Sequence, residues 1–386
     1  MLQFICFGIS VMMLANMSTS EKNHIINNNN GQQCDGVVVD NDTIGDHRFT
    51  NPGFDYESIG KNQYSTVRKE DPRIASYIQN AILGDDRNPG STTTTSTTTG
   101  DFDTMYILNV GAGSGSYEPP SSLSIHNTKE EEEQEEIQLQ HEHRHHGRHS
   151  HHNLHVVAVE PSESMRQQRL RLGKSPAINA SANKLPFDSD SFDTVMAIMT
   201  IHHWSNLQTS LKELLRVSKK NIIILTCDPD ALHNLDWFTT YFPDNVEIER
   251  KRFPPINEIC SILRSGATSD EGSSSDTDDD KSNPTIKKNK GNIEVINVPV
   301  PVNCTDGFVE AYYGRPEAFL DQNVRAAQSS WGFIGKDRVN QLVSKLKDDL
   351  ESGKWDKIYG HYRTMETFQG AIRIIRYSHD TPSSSS

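Results

Sequence analysis

A chain of 386 residues has room for two domains, but only 34% of it is hydrophobic and its mean hydropathy is −0.64, diluted by tracts that cannot join a core. Of the net charge of −14, −6 resides in residues 119–154 and 266–292; the remainder is mildly acidic without a basic stripe, which argues against a nucleic-acid partner. Five cysteines (Cys6, Cys34, Cys227, Cys260, Cys304) without a C-x-x-C pair exclude a disulfide framework and read as free thiols in a reducing compartment. At the N-terminus, Leu2 to Met17 is apolar enough for a signal peptide, but it lacks a preceding Lys or Arg and a clean cleavage site. We therefore expect a cytoplasmic protein, the secretory pathway being the alternative. Only in the latter case would the N-x-S/T sequons at Asn41, Asn179 and Asn303 matter. No other stretch is long enough to span a bilayer.

Residues 1–50 read as an unstructured or targeting segment, followed by one domain over 51–386. Asp71 is a good helix cap, Pro72 suits the first helical position, and Ile74, Ile78, Ala81 and Ile82 make an apolar stripe at helical spacing. The low-complexity insertions lie near 85–101 (Ser and Thr), 119–154 (acidic, then His-rich) and 266–292 (Ser, Asp and Lys). Between them run short apolar segments. Met105 to Val110 ends in Gly111-Ala112-Gly113-Ser114-Gly115; His155 to Val159 ends in Glu160. Phe192 to Met199 leads to Thr200 and His202-His203, and the amphipathic Leu207 to Val217 precedes Asn221 to Thr226. Ile293 to Val302 and Ala371 to Tyr377 read as late strands, with a helical stretch from Gly307 to Gly353 between them. Strands alternating with helices predict an α/β fold: a Rossmann-like, doubly wound, mostly parallel sheet with helices on both faces and an antiparallel late strand.

The glycine loop is the sharpest feature. A backbone turning beneath a ligand, directly after a strand, tolerates no Cβ. Its G-x-G-x-G spacing departs from the G-x-G-x-x-G of dinucleotide enzymes. An acidic residue at the end of the next strand, Glu160, can accept both hydroxyls of a ribose. It stands 49 positions after Gly111, and most of the excess over a usual interval of about 20 is the Glu/His-rich insertion. The histidines of that insertion have no ordered flanks or cysteines, so no metal site is expected there.

The ordered set V-G-A-G-S-G, V-A-V-E-P-S, L-P-F-D-S-D-S-F-D-T-V and I-H-H-W resembles class I S-adenosylmethionine-dependent methyltransferases of the type 11 group. So do Y-E-S-I-G-K-N-Q-Y-S-T-V-R-K-E-D-P-R-I near the start and N-C-T-D-G-F-V-E-A-Y-Y-G-R-P-E-A-F-L-D near the end, so that the likeness covers roughly 54–377 apart from the insertions. The resemblance implies S-adenosylmethionine as cofactor. Gly111, Ala112, Gly113 and Gly115 would wrap its methionine portion, and Glu160, with Pro161 and Ser162 beside it, would hold the ribose. Ser181 and Ala182 would flank the adenine, Thr200 would lie near the methyl group, and Tyr64 and Arg68 would close over the carboxylate. Asp is frequent among relatives at the positions of Asn109 and Ser181.

An activated methyl sulfonium asks mainly for in-line positioning and desolvation. Where the acceptor must lose a proton, His202 or His203 is the candidate base; the competing role for both is packing on Trp204. In the C-terminal stretch Tyr312, Tyr313 and Arg315, with Asp306 and Arg325 nearby, suit a lid over a planar or anionic small-molecule acceptor, or else an aromatic core with surface arginines. Two further function classes remain open: an NAD(P)-dependent oxidoreductase on the same fold, and a non-catalytic methyltransferase-like binding protein.

Overall fold

The computed structural model describes residues 64–84, 103–124, 151–266 and 291–379. The expected N-terminal segment, the His-rich run up to Ser150 and most of each insertion lie outside the described residues.

An eight-stranded sheet organises the molecule. Its strands are β1 (Asp103–Val110), β2 (Ser122–Ser124), β3 (His151–Val159), β4 (Ala177–Ile178), β5 (Phe192–Ile198), β6 (Ser218–Cys227), β7 (Asn292–Asn297) and β10 (Ile372–Ser378). The order is β2-β3-β1-β5-β6-β10-β7, with β4 also paired to β3. The β3–β1, β1–β5, β5–β6 and β3–β4 pairs are parallel, whereas β10 runs antiparallel to both β6 and β7, as the expected late strand does. A separate two-stranded sheet pairs β8 (Val300–Pro301) with β9 (Thr367–Phe368). The apolar run expected as one strand over Ile293 to Val302 is thus split. Pro299 and Pro301 bring no N–H to a ladder, so a strand continuing past Val298 would lose bonds.

Period-two alternation sends successive side chains to opposite faces. Ile107, Met196, Ile223, Leu225 and Ile374 enter one core, together with the stripe of α2 (Pro72–Leu83), which follows the short α1 (Tyr64–Val67). Leu108, Val195, Ala197, Ile222, Ile224 and Ile375 enter the other, against α4 (Leu207–Val217) and α7 (Ile256–Gly266). The third major helix, α3 (Glu163–Arg171), follows β3. Helix α2 begins as its sequence demands. The Asp71 carboxylate accepts from the Arg73 N–H at 3.0 Å, Pro72 sits in the first turn, and Gly84 closes the helix in the left-handed region at φ 73°. Ile74, Ile78, Ala81 and Ile82 are buried, as their spacing predicts.

Two further sequence expectations need correction. The insertion boundaries were drawn too wide: β2 and the first residues of β3 fall within 119–154, and Gly266 closes α7. Gly307 to Gly353 is only partly α-helical. It consists of 3-10 turns at Val309–Tyr312, Pro316–Leu320 and Ser329–Phe333, the short α8 (Gln322–Ala326) and one long helix, α9 (Lys336–Glu351). Its aromatic residues pack with α5 (Asp236–Tyr241), α6 (Pro243–Arg252) and α10 (Lys354–Tyr359) around Trp237, whose indole N–H donates to the Tyr313 carbonyl at 2.8 Å.

Candidate active site

A cavity of about 370 Å³ lies at the C-terminal ends of β1, β3 and β5, where open α/β sheets bind ligands. The glycine bend forms its floor. The Gly111 and Ala112 N–H groups both donate to the Val159 carbonyl, at 2.9 and 3.0 Å, stitching the bend to the end of β3. Gly111, Gly113 and Gly115 have φ of 68°, 53° and 91°, in the left-handed region that favours glycine. Each is bare for a different neighbour. A Cβ on Gly111 would fall 2.2 Å from Thr200 Oγ1, and one on Gly113 would fall 3.3 Å from Met165 Cε. A Cβ on Gly115 would fall 2.7 Å from an Arg169 guanidinium nitrogen.

Gly111, Ala112 and Gly113 line the cavity; Gly115 does not. Gly115 instead backs onto a buried fork in which Arg169 gives two hydrogen bonds to Glu118, at 2.6 and 2.9 Å. Asn109 joins this fork by donating to Glu118 at 2.9 Å, while its own Oδ1 is buried without a partner at the cavity wall. A neutral Asn suits a position already facing a carboxylate, where an Asp would set two negative charges side by side.

Glu160 stands against the bend, at the end of β3. Its two carboxylate oxygens accept from the Gly113 N–H at 2.8 Å and the Ser162 N–H at 2.9 Å, so backbone fixes its orientation. Pro161, Ser162, Ser181, Ala182 and Thr200 line the same cavity, so every residue expected near Glu160 is brought together with the bend. Arg68 lines it too, with its guanidinium committed to Asp306 at 2.6 and 3.3 Å. Asp306 also accepts from the Tyr117 hydroxyl at 3.0 Å, which ties the N-terminal helix, the glycine loop and the C-terminal segment into one clasp. Tyr64 opens α1, but its side chain lies outside the described residues.

Met199 leaves β5 at φ 50°, a strained conformation for a non-glycine residue, and lines both this cavity and a smaller one of about 70 Å³ beyond it. The histidine pair follows on a 3-10 turn. His203 lines both cavities, His202 only the smaller, and their rings lie 3.9 Å apart with His202 4.2 Å from Phe253. Burial, reinforced by nearby Arg252, pushes His203 down to about 3 and His202 well below the ordinary imidazole range. Both are therefore neutral at pH 7 and hold a proton weakly.

Tyr312, Tyr313 and Arg315 line neither cavity. Tyr313 is fully buried with its hydroxyl donating to the Met365 carbonyl at 2.7 Å, and Arg315 donates to the Cys304 and Ala311 carbonyls while lying over the Tyr312 ring. Sequence reasoning noted Asn109 only as a position where relatives often carry Asp, and it missed Met165, Met199 and, apart from Arg68, His202 and His203, the residues of the smaller cavity, Glu249 and Glu310 among them. Only Asn109 and Met199 carried a local signal, by flanking recognised motifs.

The geometry agrees with what the chain resembles among known proteins. A family model described as a methyltransferase domain of type 11 matches residues 144–226. A solved protein from Anabaena variabilis, assigned as a methyltransferase of an antibiotic biosynthesis pathway, superposes with a TM-score of 0.58 at 25% identity, over 81% of this chain and 99% of that one. Looser superpositions include YcgJ from Bacillus subtilis, with TM-score 0.36, 12% identity, and 72% and 93% of the two chains. Another is the plantazolicin methyltransferase BpumL, solved with a triazolic desmethylPZN analogue and S-adenosylhomocysteine, with TM-score 0.39, 10% identity, and 86% and 94% coverage. No curated protein matches the chain. The residues present fit the cofactor that goes with this assignment: a floor bare of Cβ at Gly111 and Gly113, an orphaned buried amide oxygen on Asn109 and a fixed carboxylate beside them. Residues 144–226 thus match a type 11 methyltransferase domain, and this match, with the Anabaena superposition, supports an S-adenosylmethionine-dependent methyltransferase.

Proposed function

We propose that the larger cavity holds S-adenosylmethionine and that the chain methylates a small molecule reaching it past the end of β5. The observation that carries this reading is the Glu160 carboxylate, clamped by the Gly113 and Ser162 N–H groups where the bend meets the end of β3. A carboxylate so oriented suits a pair of vicinal hydroxyls, since each oxygen can take more than one hydrogen bond. In this reading Gly111, Ala112 and Gly113 pass beneath the methionine portion, and Pro161 and Ser162 support the ribose. Ser181 and Ala182 flank the adenine, and Thr200 stands by the transferred methyl. Arg68, held by Asp306, closes the carboxylate end. Gly115 acts one step back, by admitting the Arg169–Glu118 fork that braces the loop.

When bound, the sulfonium supplies an already activated methyl group. The chain's own residues then have to hold the acceptor in line and keep water out. His202 and His203 border that space, but their low affinity for protons makes them poor general bases at pH 7, where a pKa near the working pH serves best. We assign them to shaping the strand-end turn, and Tyr312, Tyr313 and Arg315 to supporting the C-terminal segment. The Anabaena protein's assignment to antibiotic biosynthesis accords with a small-molecule acceptor. Cys227, Cys260 and Cys304 are buried free thiols, in keeping with a cytoplasmic setting.

The oxidoreductase reading is disfavoured by the loop itself. From Gly111 to Ser121 the chain is a run of turns and bends, so no helix N-terminus faces a pyrophosphate there. The deciding experiment incubates the full chain and labelled S-adenosylmethionine with a cell extract and identifies labelled products by mass spectrometry. A discrete labelled metabolite is expected; cofactor binding without any labelled product would return the chain to the non-catalytic class.

A further inference from the structure

We propose that the smaller cavity receives the reacting group of the methyl acceptor, that this group is an amine, and that Glu310 takes its proton. The inference rests on the larger cavity being the cofactor site. The two cavities share Arg68, Met199 and His203, so they meet beside Thr200 at the end of β5. At about 70 Å³ the smaller one admits a head group of a few atoms rather than a whole metabolite.

Two buried polar atoms without hydrogen-bond partners belong to residues lining this space: Glu310 Oε2 and His202 Nδ1. Buried polar atoms are normally satisfied, so a pair of orphans in one cavity points to a ligand that completes them. Glu310 is 4% exposed and is clamped by its other oxygen, which accepts from the Ala371 N–H at 2.7 Å. Gly370 makes room for the carboxyl; a Cβ there would lie 2.3 Å from Oε1. We assign the imidazole proton of His202 to Nε2, which makes its Nδ1 an acceptor like the carboxylate oxygen of Glu310. Two acceptors ask for two donors on one small group. An amine offers them and a hydroxyl has one.

Charge points the same way. The lining holds a second carboxyl, Glu249, paired with Arg252 at 3.2 Å, and its one guanidinium, that of Arg68, is already engaged by Asp306. An anionic acceptor would meet carboxylates with no uncommitted cation to offset them. A cationic one would meet carboxylates and the rings of Phe253 and Phe308. Burial pushes the Glu310 carboxyl up to about 7, which suits proton uptake near neutrality. The step balances: the bound ammonium yields one proton to Glu310 Oε2, and the freed lone pair forms the bond to the methyl carbon. The carbon–sulfur pair stays on sulfur, and the product is the methylated ammonium.

The test uses isobutylamine, isobutanol and isobutyrate, alike in shape apart from the head group. Each is titrated by NMR into the full wild-type chain saturated with S-adenosylhomocysteine, and isobutylamine also into Glu310→Gln. Saturable binding of isobutylamine at least tenfold tighter than the other two is expected. In Glu310→Gln its affinity should fall at least tenfold while that for S-adenosylhomocysteine stays within twofold. Equal or tighter binding of isobutanol or isobutyrate would overturn the proposal, as would unchanged isobutylamine affinity in the variant. If the variant fails to fold, the wild-type head-group comparison decides. Failure of the wild type to bind S-adenosylhomocysteine would instead remove the cofactor-site reading, and this proposal with it.

Discussion

The two cavities are built in opposite ways. The larger is organised around backbone: a bend whose glycines carry no Cβ, N–H groups that orient Glu160, and strand ends set by β1, β3 and β5. The smaller is made of side chains drawn from distant segments, with His202 and Phe253 from the middle of the domain meeting Phe308, Glu310 and Gln328 from the last third. A backbone-built site can be shared by many chains, because it needs only glycines and one acid in the right places. A side-chain-built site is free to change with the acceptor.

The comparison can be broken in several places. The bend depends on the Arg169–Glu118 fork behind Gly115, both partners being almost wholly buried. Glu118→Ala strands the guanidinium, and a loss of about 3–5 kcal/mol in urea unfolding is expected for breaking such a pair. A loss below about 1 kcal/mol would mean that the fork does not brace the loop.

In the smaller cavity the sharper probe is pH. Glu310 is raised to about 7 in the fold against 4.5 when unfolded, so between these values the native state holds a proton that the unfolded chain has released. Stability carried by this group is therefore present below pH 4.5 and lost as pH rises towards 7, by up to about 3 kcal/mol. The depressed histidines act in the opposite direction, adding stability as pH rises through the ordinary imidazole range. They cancel when wild type is compared with Glu310→Gln. The stability of the variant relative to wild type should thus increase between pH 5 and 8; a constant difference would show that this carboxyl is not desolvated.

The smallest effect is expected at Tyr313, which resembled a substrate contact in sequence and packs as scaffold. Tyr313→Phe removes one hydrogen bond to the Met365 carbonyl and should cost about 1 kcal/mol of stability without altering the acceptor KM. A raised KM with unchanged stability would restore the lid.

This contrast also explains what the sequence disclosed. The glycine bend, Glu160 and Thr200 were legible because each occupies a strand end, where an apolar run stops and a conformational demand appears at a fixed offset. The parallel sheet and the stripe of α2 were legible through periodicity. Glu310 was not, because its partner is the backbone at Ala371 and the facing cavity residues from Met199 to Phe253 lie about 60–110 residues away, a meeting no local pattern encodes. Tyr312, Tyr313 and Arg315 misled for a related reason. Aromatic residues beside an arginine look alike whether they line a pocket or wrap a buried guanidinium, and here Arg315 caps backbone carbonyls. Asn109, where relatives often carry Asp, found its account only once Glu118 appeared beside it.

The most direct test is calorimetric titration of S-adenosylhomocysteine, and separately of NAD, into the wild type and Gly113→Arg. At φ 53° the substitution strains the backbone by about 1–2 kcal/mol and fills the floor of the larger cavity, leaving the sheet untouched. One S-adenosylhomocysteine bound per wild-type chain is expected, with no NAD binding, and no heat in a variant that still melts cooperatively. Comparable NAD binding, or an unchanged affinity in Gly113→Arg, would contradict the account.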